Sequence, residues 1–234
     1  MTAGTYSTAT WTGLALIAAG VIVTLLFSSQ IRSRAEQVAD AVAQAPLVTV
    51  ADFPAEGAAR VEGRVQLIEP SLTAPLSGQR CAYYELEVDG LGGLEGGARQ
   101  RRKAQGMDFL LTDASGTALV QLESAMVAPG SAMVGALVAI DEAHCRQGTL
   151  AEIAAEKRDA ALRLLGERAP DGELGEVRYR ECVLAPDAHV AVAAAGAGLH
   201  GRAPGHVAAP ARAGRVTLAA TPRQPLYIAV AGRR

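Results

Sequence analysis

The first charged side chain in this sequence is Arg32. Ahead of it runs WTGLALIAAGVIVTLLFSSQI, residues 11–31, with no ionisable group at all. As a helix this stretch rises roughly 31 Å at 1.5 Å per residue, enough to cross the hydrocarbon core of a bilayer. Ile, Val and Leu fill its centre, Trp11 stands at one interface, and Ser28, Ser29 and Gln30 begin the other. A cleaved signal peptide is the rival reading. Against it, no basic residue precedes the run, the run is long, and no A-x-A site follows promptly. A buried soluble helix would show a polar face, and this one has none. The expectation is a tail over 1–10 and a single uncleaved transmembrane helix over 11–31, with the lipid bilayer as its partner.

Arg32 and Arg34 follow the span and no basic side chain precedes it, so the positive-inside rule puts the remaining chain in the cytoplasm. Glu36 partly counters that bias. Cys81, Cys145 and Cys182 are an odd set with no framework spacing, which fits a reducing compartment. The 22 basic and 24 acidic residues leave a formal charge of -2, without the basic excess of a phosphate-backbone binder. No nucleic-acid partner is expected.

Residues 32–46 read as a helical stalk, alanine-rich and ended by Pro46, with Val38 and Val42 on one face. From 47 to 234 the texture is that of one mainly β domain. Short β-branched runs separated by turn signals predict strands at 60–68, 81–88, 107–112, 117–123, 133–140, 176–184, 188–194, 215–220 and 225–230. Only 4% of residues are aromatic, so alanine and valine must supply most of the core. Gly63 marks a bend or bulge in the first strand. Residues 89–106 read as an exposed glycine-rich loop, whose Arg99, Arg101, Arg102 and Lys103 suit a solvated tip or a contact with lipid headgroups or an acidic partner.

One amphipathic helix is predicted over 149–165. Leu150, Ile153, Ala154, Ala161, Leu164 and Leu165 form its stripe, Thr149 and Glu152 have capping-box spacing, and Gly166 ends it in a left-handed cap. Residues 195–214, with His200 and His206, read as a flexible loop. The fold class is therefore mainly β with some helix (α+β): an antiparallel, OB-like small barrel or sheet with one packed helix, below one transmembrane helix.

No reaction follows from these residues. Asp141, Glu142, His144 and Cys145, with Cys182 and His189 downstream, include zinc-compatible types. His144 and Cys145 are adjacent, however, and neighbouring strand side chains point to opposite faces. Neither C-x-x-C nor H-E-x-x-H occurs, nor a G-x-S-x-G elbow or a phosphate-binding glycine loop that opens a helix. No metal and no cofactor is expected. A Cys/His nucleophilic pair, Cys145 or Cys182 with His144, His189, His200 or His206, stands as the alternative: a membrane-anchored enzyme. A structural subunit of an envelope complex is a third class.

Three segments occur together in a recognisable order: PSLTAPLSGQRCAYYELEV (70–88), DFLLTDASGTALVQLESA (108–125) and YRECVLAPDAHVAVAAAG (179–196). In Pro75 and Leu76, Cys81, Tyr83 and Tyr84, Phe109, Asp113 and Gly116, and Glu181, Pro186 and Asp187, the chain resembles the GIDE or BAM ("beside a membrane") domain family. The likeness covers most of 47–230. Well-known members are mitochondrial ubiquitin ligases with two spans and a C-terminal RING. Here the second span is missing, and with 3 Cys and 4 His a two-zinc RING cannot be built. The resemblance therefore implies a membrane-tethered, noncatalytic binding or scaffold domain with a protein partner, and it places the domain outside the inner membrane. Its motif residues have structural roles to fill: Asp113 and Gly116 suit the turn, Gly116 through positive φ. Phe109 and Leu111 should face the core. Cys81 and Tyr83 should share one side of a strand and Tyr84 the other, with one tyrosine in the core and one at the surface.

Overall fold

Strand residues that alternate apolar and polar bury one face, and here almost every predicted run does so. In a computed structural model of the protein, residues 34–54, 57–91, 99–122, 135–167, 177–197, 216–220 and 225–230 are described. The 11–31 span, the 1–10 tail, Arg32, His200 and His206 lie outside them. Among the described residues no helix is long and apolar enough to cross a membrane. Residues up to Gln37 and residues from Val38 onward form separate compact units, and the packing described below belongs to the second.

The strands are β1 (Ala58–Leu67), β2 (Leu72–Thr73), β3 (Arg80–Cys81), β4 (Tyr83–Leu91), β5 (Arg99–Gly106), β6 (Phe109–Thr112), β7 (Thr117–Gln121), β8 (Ala136–Ile140), β9 (Cys145–Thr149), β10 (Arg178–Leu184), β11 (His189–Ala197), β12 (Val216–Ala219) and β13 (Leu226–Val230). The fold is mainly β, as the sequence predicts. Seven strands form a sheet in the order β1-β6-β7-β12-β11-β13-β8, and a further β1–β11 pairing closes β1, β6, β7, β12 and β11 into a ring. The pairing is antiparallel except between β7 and β12 and between β8 and β13, which run parallel. Antiparallel pairing thus dominates, as the sequence predicts, and the four-stranded sheet described below is antiparallel throughout.

Val61 and Val65 from β1, Phe109 and Leu111 from β6, Val120, Val190, Val192, Leu218 and Ile228 bury the inner faces of this sheet together. Gly63 sits where β1 changes partner, since Arg64 is level with both His189 of β11 and Thr112 of β6. A Cβ at Gly63 would lie 2.5 Å from the Thr112 carbonyl oxygen, so only glycine lets the two backbones approach.

A second, four-stranded sheet has the order β5-β4-β10-β9. The sequence predicts no strand at β5 or β9. Residues 99–106, read as a loop, pair with β4 along most of their length. Arg101 bonds Glu167 at 2.5 Å and Arg102 bonds Glu85 at 2.7 Å, so much of the basic cluster is used within the fold.

The predicted 149–165 helix is shorter than expected. Leu150–Glu152 is a 3-10 turn and the α-helix covers Ala155–Leu164. Thr149 Oγ1 donates to Glu152 Oε1 at 2.9 Å, and no capping bond from its side chain to the backbone forms. The capping box therefore never assembles. At the other end Gly166 has φ +75 and Glu167 N–H bonds Leu162 O at 2.9 Å, the left-handed stop that was predicted. Ala161 and Leu162 are buried against Leu86, Val88 and Leu150, while Leu164 points outward at 36% exposure.

The stalk region forms a helix over Arg34–Gln44. Val38 and Val42 do share a face, and it is buried against Ala193 with Leu137 and Tyr227 beside it. Arg60 Nη1 caps the helix end by donating to Val42 O at 2.9 Å. From Val38 on, then, this segment is docked on the sheet.

Candidate functional site

The motif residues have structural work to do, and much of it is shared. Glu181 on β10 is 1% exposed. A buried carboxylate needs donors, and Oε1 accepts from Leu76 N–H at 2.7 Å while Oε2 accepts from Ser77 N–H at 2.9 Å. Half-buried Pro75 opens the turn so held, between β2 and β3. The Pro-Leu turn and the strand carrying Glu181 are thus one unit.

Cys81 and Tyr83 do not share a face of one strand. β3 ends at Cys81 and β4 starts at Tyr83, so the alternation breaks at Ala82. Cys81 packs with Ala74, Tyr84 and Val183, whereas Tyr83 joins the core of the larger sheet. Both tyrosines are buried, at 0% and 3% exposure, which corrects the expectation of one at the surface. Each hydroxyl is satisfied at its buried end, Tyr83 by Glu85 and Tyr84 by Gln105, both at 2.9 Å. Burial pushes the Cys81 thiol up to about 12, with the Glu181 charge adding to the shift. Burial first, then the charges of Cys81 and Glu181, also raise Tyr84.

Phe109 and Leu111 lie fully in the core, as predicted. Asp113 organises its turn: Oδ1 accepts from Ser115 N–H, Gly116 N–H and Ser115 Oγ, and Oδ2 reaches across to Val50 N–H at 2.8 Å. Partial burial pushes the Asp113 carboxyl up, but these four hydrogen bonds outweigh it and hold it below the usual carboxylate range. Gly116 does not use positive φ, contrary to expectation; its N–H serves Asp113 instead. Exposed Pro186 and Asp187 make the turn before β11, with Asp187 at φ 62 and its N–H on Val65 O at 2.9 Å.

The candidate nucleophiles meet each other instead of a histidine. Cys145 and Cys182, level on β9 and β10, are joined in a disulfide. No thiolate remains at either position, which removes the Cys/His pairs proposed for them. The absence of framework spacing was misleading, because strand register brings the two together across 37 residues. Half-buried His144 lies in the 3-10 turn Glu142–His144, and exposed His189 opens β11 in the other sheet. Among the described residues no group of three or more His, Cys, Asp or Glu is placed to hold a metal ion.

A concave surface lies over the four-stranded sheet. Leu86 and Val88 turn one face toward the Ala155–Leu164 helix. Alternation puts Glu87 and Asp89 of β4, Arg178 and Arg180 of β10, and Gln147 of β9 on the opposite face. These side chains line a cleft of about 460 Å³. Sequence reading missed it, because its edge strands β5 and β9 carry little β signal and its charges are scattered through the chain.

No protein-family model matches the chain, and no curated protein or solved structure does either.

Proposed function

We propose that this chain is a single-pass, membrane-anchored, noncatalytic binding or scaffold module of the GIDE/BAM kind. The observation that carries this reading is a sheet with one face sealed by a helix and the other left polar and hollowed into a cleft. The interlocking of Glu181 with the Pro75–Ser77 turn, and of Asp113 with Val50, supports the family likeness, because the matching residues form contacts a shared architecture would keep. The five-strand ring, with its single parallel pairing between β7 and β12, supports an OB-like barrel. Tethering through residues 11–31 would raise the module's effective concentration toward membrane-bound partners.

The Cys145–Cys182 disulfide supports an oxidising compartment. It outweighs the two arginines that favour the cytoplasm, and the reading therefore moves the domain outside. The enzyme alternative loses its thiols to the same bond.

Alkaline carbonate extraction of membranes from cells expressing the full chain tests the anchor: retention in the pellet upholds it and release overturns it. A C-terminal reporter active on one side only tests sidedness. A signal outside is expected, and a cytoplasmic signal would restore the arginine argument.

A further inference from the structure

The open face of the four-stranded sheet keeps hydrogen-bond donors that the fold does not use. Its carboxylates all have partners. Glu85 accepts from Arg102 at 2.7 Å and from the Tyr83 hydroxyl at 2.9 Å, Glu87 accepts from the Gln100 amide, and Asp89 accepts from Gly90 N–H at 2.8 Å. The side chains of Arg178 and Arg180 have no hydrogen bond or ion pair with another described residue, although each stands level with a carboxylate on β4. A guanidinium carries five donors and no acceptor, and Glu87 and Asp89 each use one carboxylate oxygen within the fold, so this face offers both unpartnered donors and spare acceptor oxygens. The two arginines sit two residues apart on β10, on the same side of the sheet, and Arg180 is half-buried.

We propose that this cleft is a binding site for a singly charged oxyanion flanked by hydroxyls, with Arg178 and Arg180 holding the anion and Glu87 and Asp89 accepting from the hydroxyls. The pair of guanidiniums suits the planar or tetrahedral edge of a carboxylate or phosphodiester. The two carboxylates beside them disfavour a dianion and favour a donor-bearing neighbour group. The volume, about 460 Å³, is that of a small-molecule site. A sugar acid and a glycerol-linked phosphodiester headgroup both carry this chemistry. The site deepens the reading of the chain as a binding module and rests on it.

The test is saturation-transfer NMR on the full chain in detergent micelles, with glucuronate and glycerophosphoglycerol as probes and glycerol as the neutral comparator. Binding of at least one charged probe is expected, with none of glycerol. Arg178→Gln and Arg180→Gln should each weaken it about tenfold or more. Arg146→Gln should leave it unchanged, since Arg146 is level with Glu181 and so lies on the other face of the same ladder. If the β10 variants do not fold, Gln147→Ala at the cleft wall must still weaken binding several-fold. A preference for glycerophosphoglycerol assigns the site to a lipid headgroup and a preference for glucuronate to a saccharide. Binding of neither probe, or equal losses in Arg146→Gln, overturns the proposal. Carbonate extraction of the same variants keeps that failure distinct from failure of the anchor.

Discussion

Glu181 Oε1 accepts the backbone N–H of Leu76 at 2.7 Å, joining positions 105 residues apart. Both partners are buried, so each satisfies a group that water cannot reach. The contact fastens the Pro75–Ser77 turn to the middle of the four-stranded sheet and lets Cys81, Tyr84 and Val183 close over one another beside it.

Glu181→Ala should therefore cost about 3 kcal/mol, because it leaves the Leu76 and Ser77 N–H groups buried or half-buried without an acceptor. Glu181→Gln, which keeps one acceptor oxygen, should cost less. Thermal denaturation of both variants followed by circular dichroism checks the order. An alanine variant as stable as the parent would mean that the turn holds itself.

The native chain should present no thiol to Ellman's reagent. Cys145 and Cys182 are joined, and Cys81 is 0% exposed with its thiol pushed up to about 12. Denaturation without reductant should release one thiol, and denaturation with reductant three. Chain entropy for a bridge spanning 37 residues predicts a loss of about 4 kcal/mol on removing it. Three titratable thiols without reductant would refute the bridge.

Asp113 sets an acid limit. Its folded pKa lies below the ordinary value of 3.8, so its contribution is full above that value and falls as pH drops toward the folded pKa. The stability gap between the parent chain and Asp113→Asn should accordingly be widest near neutrality and shrink below about pH 4. Melting temperatures of both proteins across that range measure it; a gap independent of pH would show that the hydrogen bonds do not depend on the carboxylate.

Gly63→Ala should destabilise by about 1–3 kcal/mol, since the new methyl would meet the Thr112 carbonyl oxygen at 2.5 Å. Gly116→Ala is the contrast. Its nearest neighbour would be Val50 Cγ1 at 3.5 Å and its φ is not positive, so it should be nearly neutral. Equal effects at the two positions would remove the argument from close backbone approach.

The positions of most strands, the Asp113–Gly116 and Pro186–Asp187 turns, the Gly166 stop and the buried roles of Phe109 and Leu111 are all legible in the amino-acid order. Each is encoded within a few residues, by period-2 alternation or by the backbone preference of a single residue. Other features depend on contacts between distant segments. Arg99–Gly106 is a strand because β4 offers it an edge and Glu85 and Glu167 receive its arginines, not because its residues favour one. Cys145 finds Cys182, and Leu76 finds Glu181, through the register of strands far apart in the chain. The cleft has the same origin: Arg178 and Arg180 become neighbours of Glu87 and Gln147 only once β10 is seated between β4 and β9. Local pattern specifies which face a side chain takes, but pairing of distant strands is a property of the whole sheet, and no short window of sequence carries it.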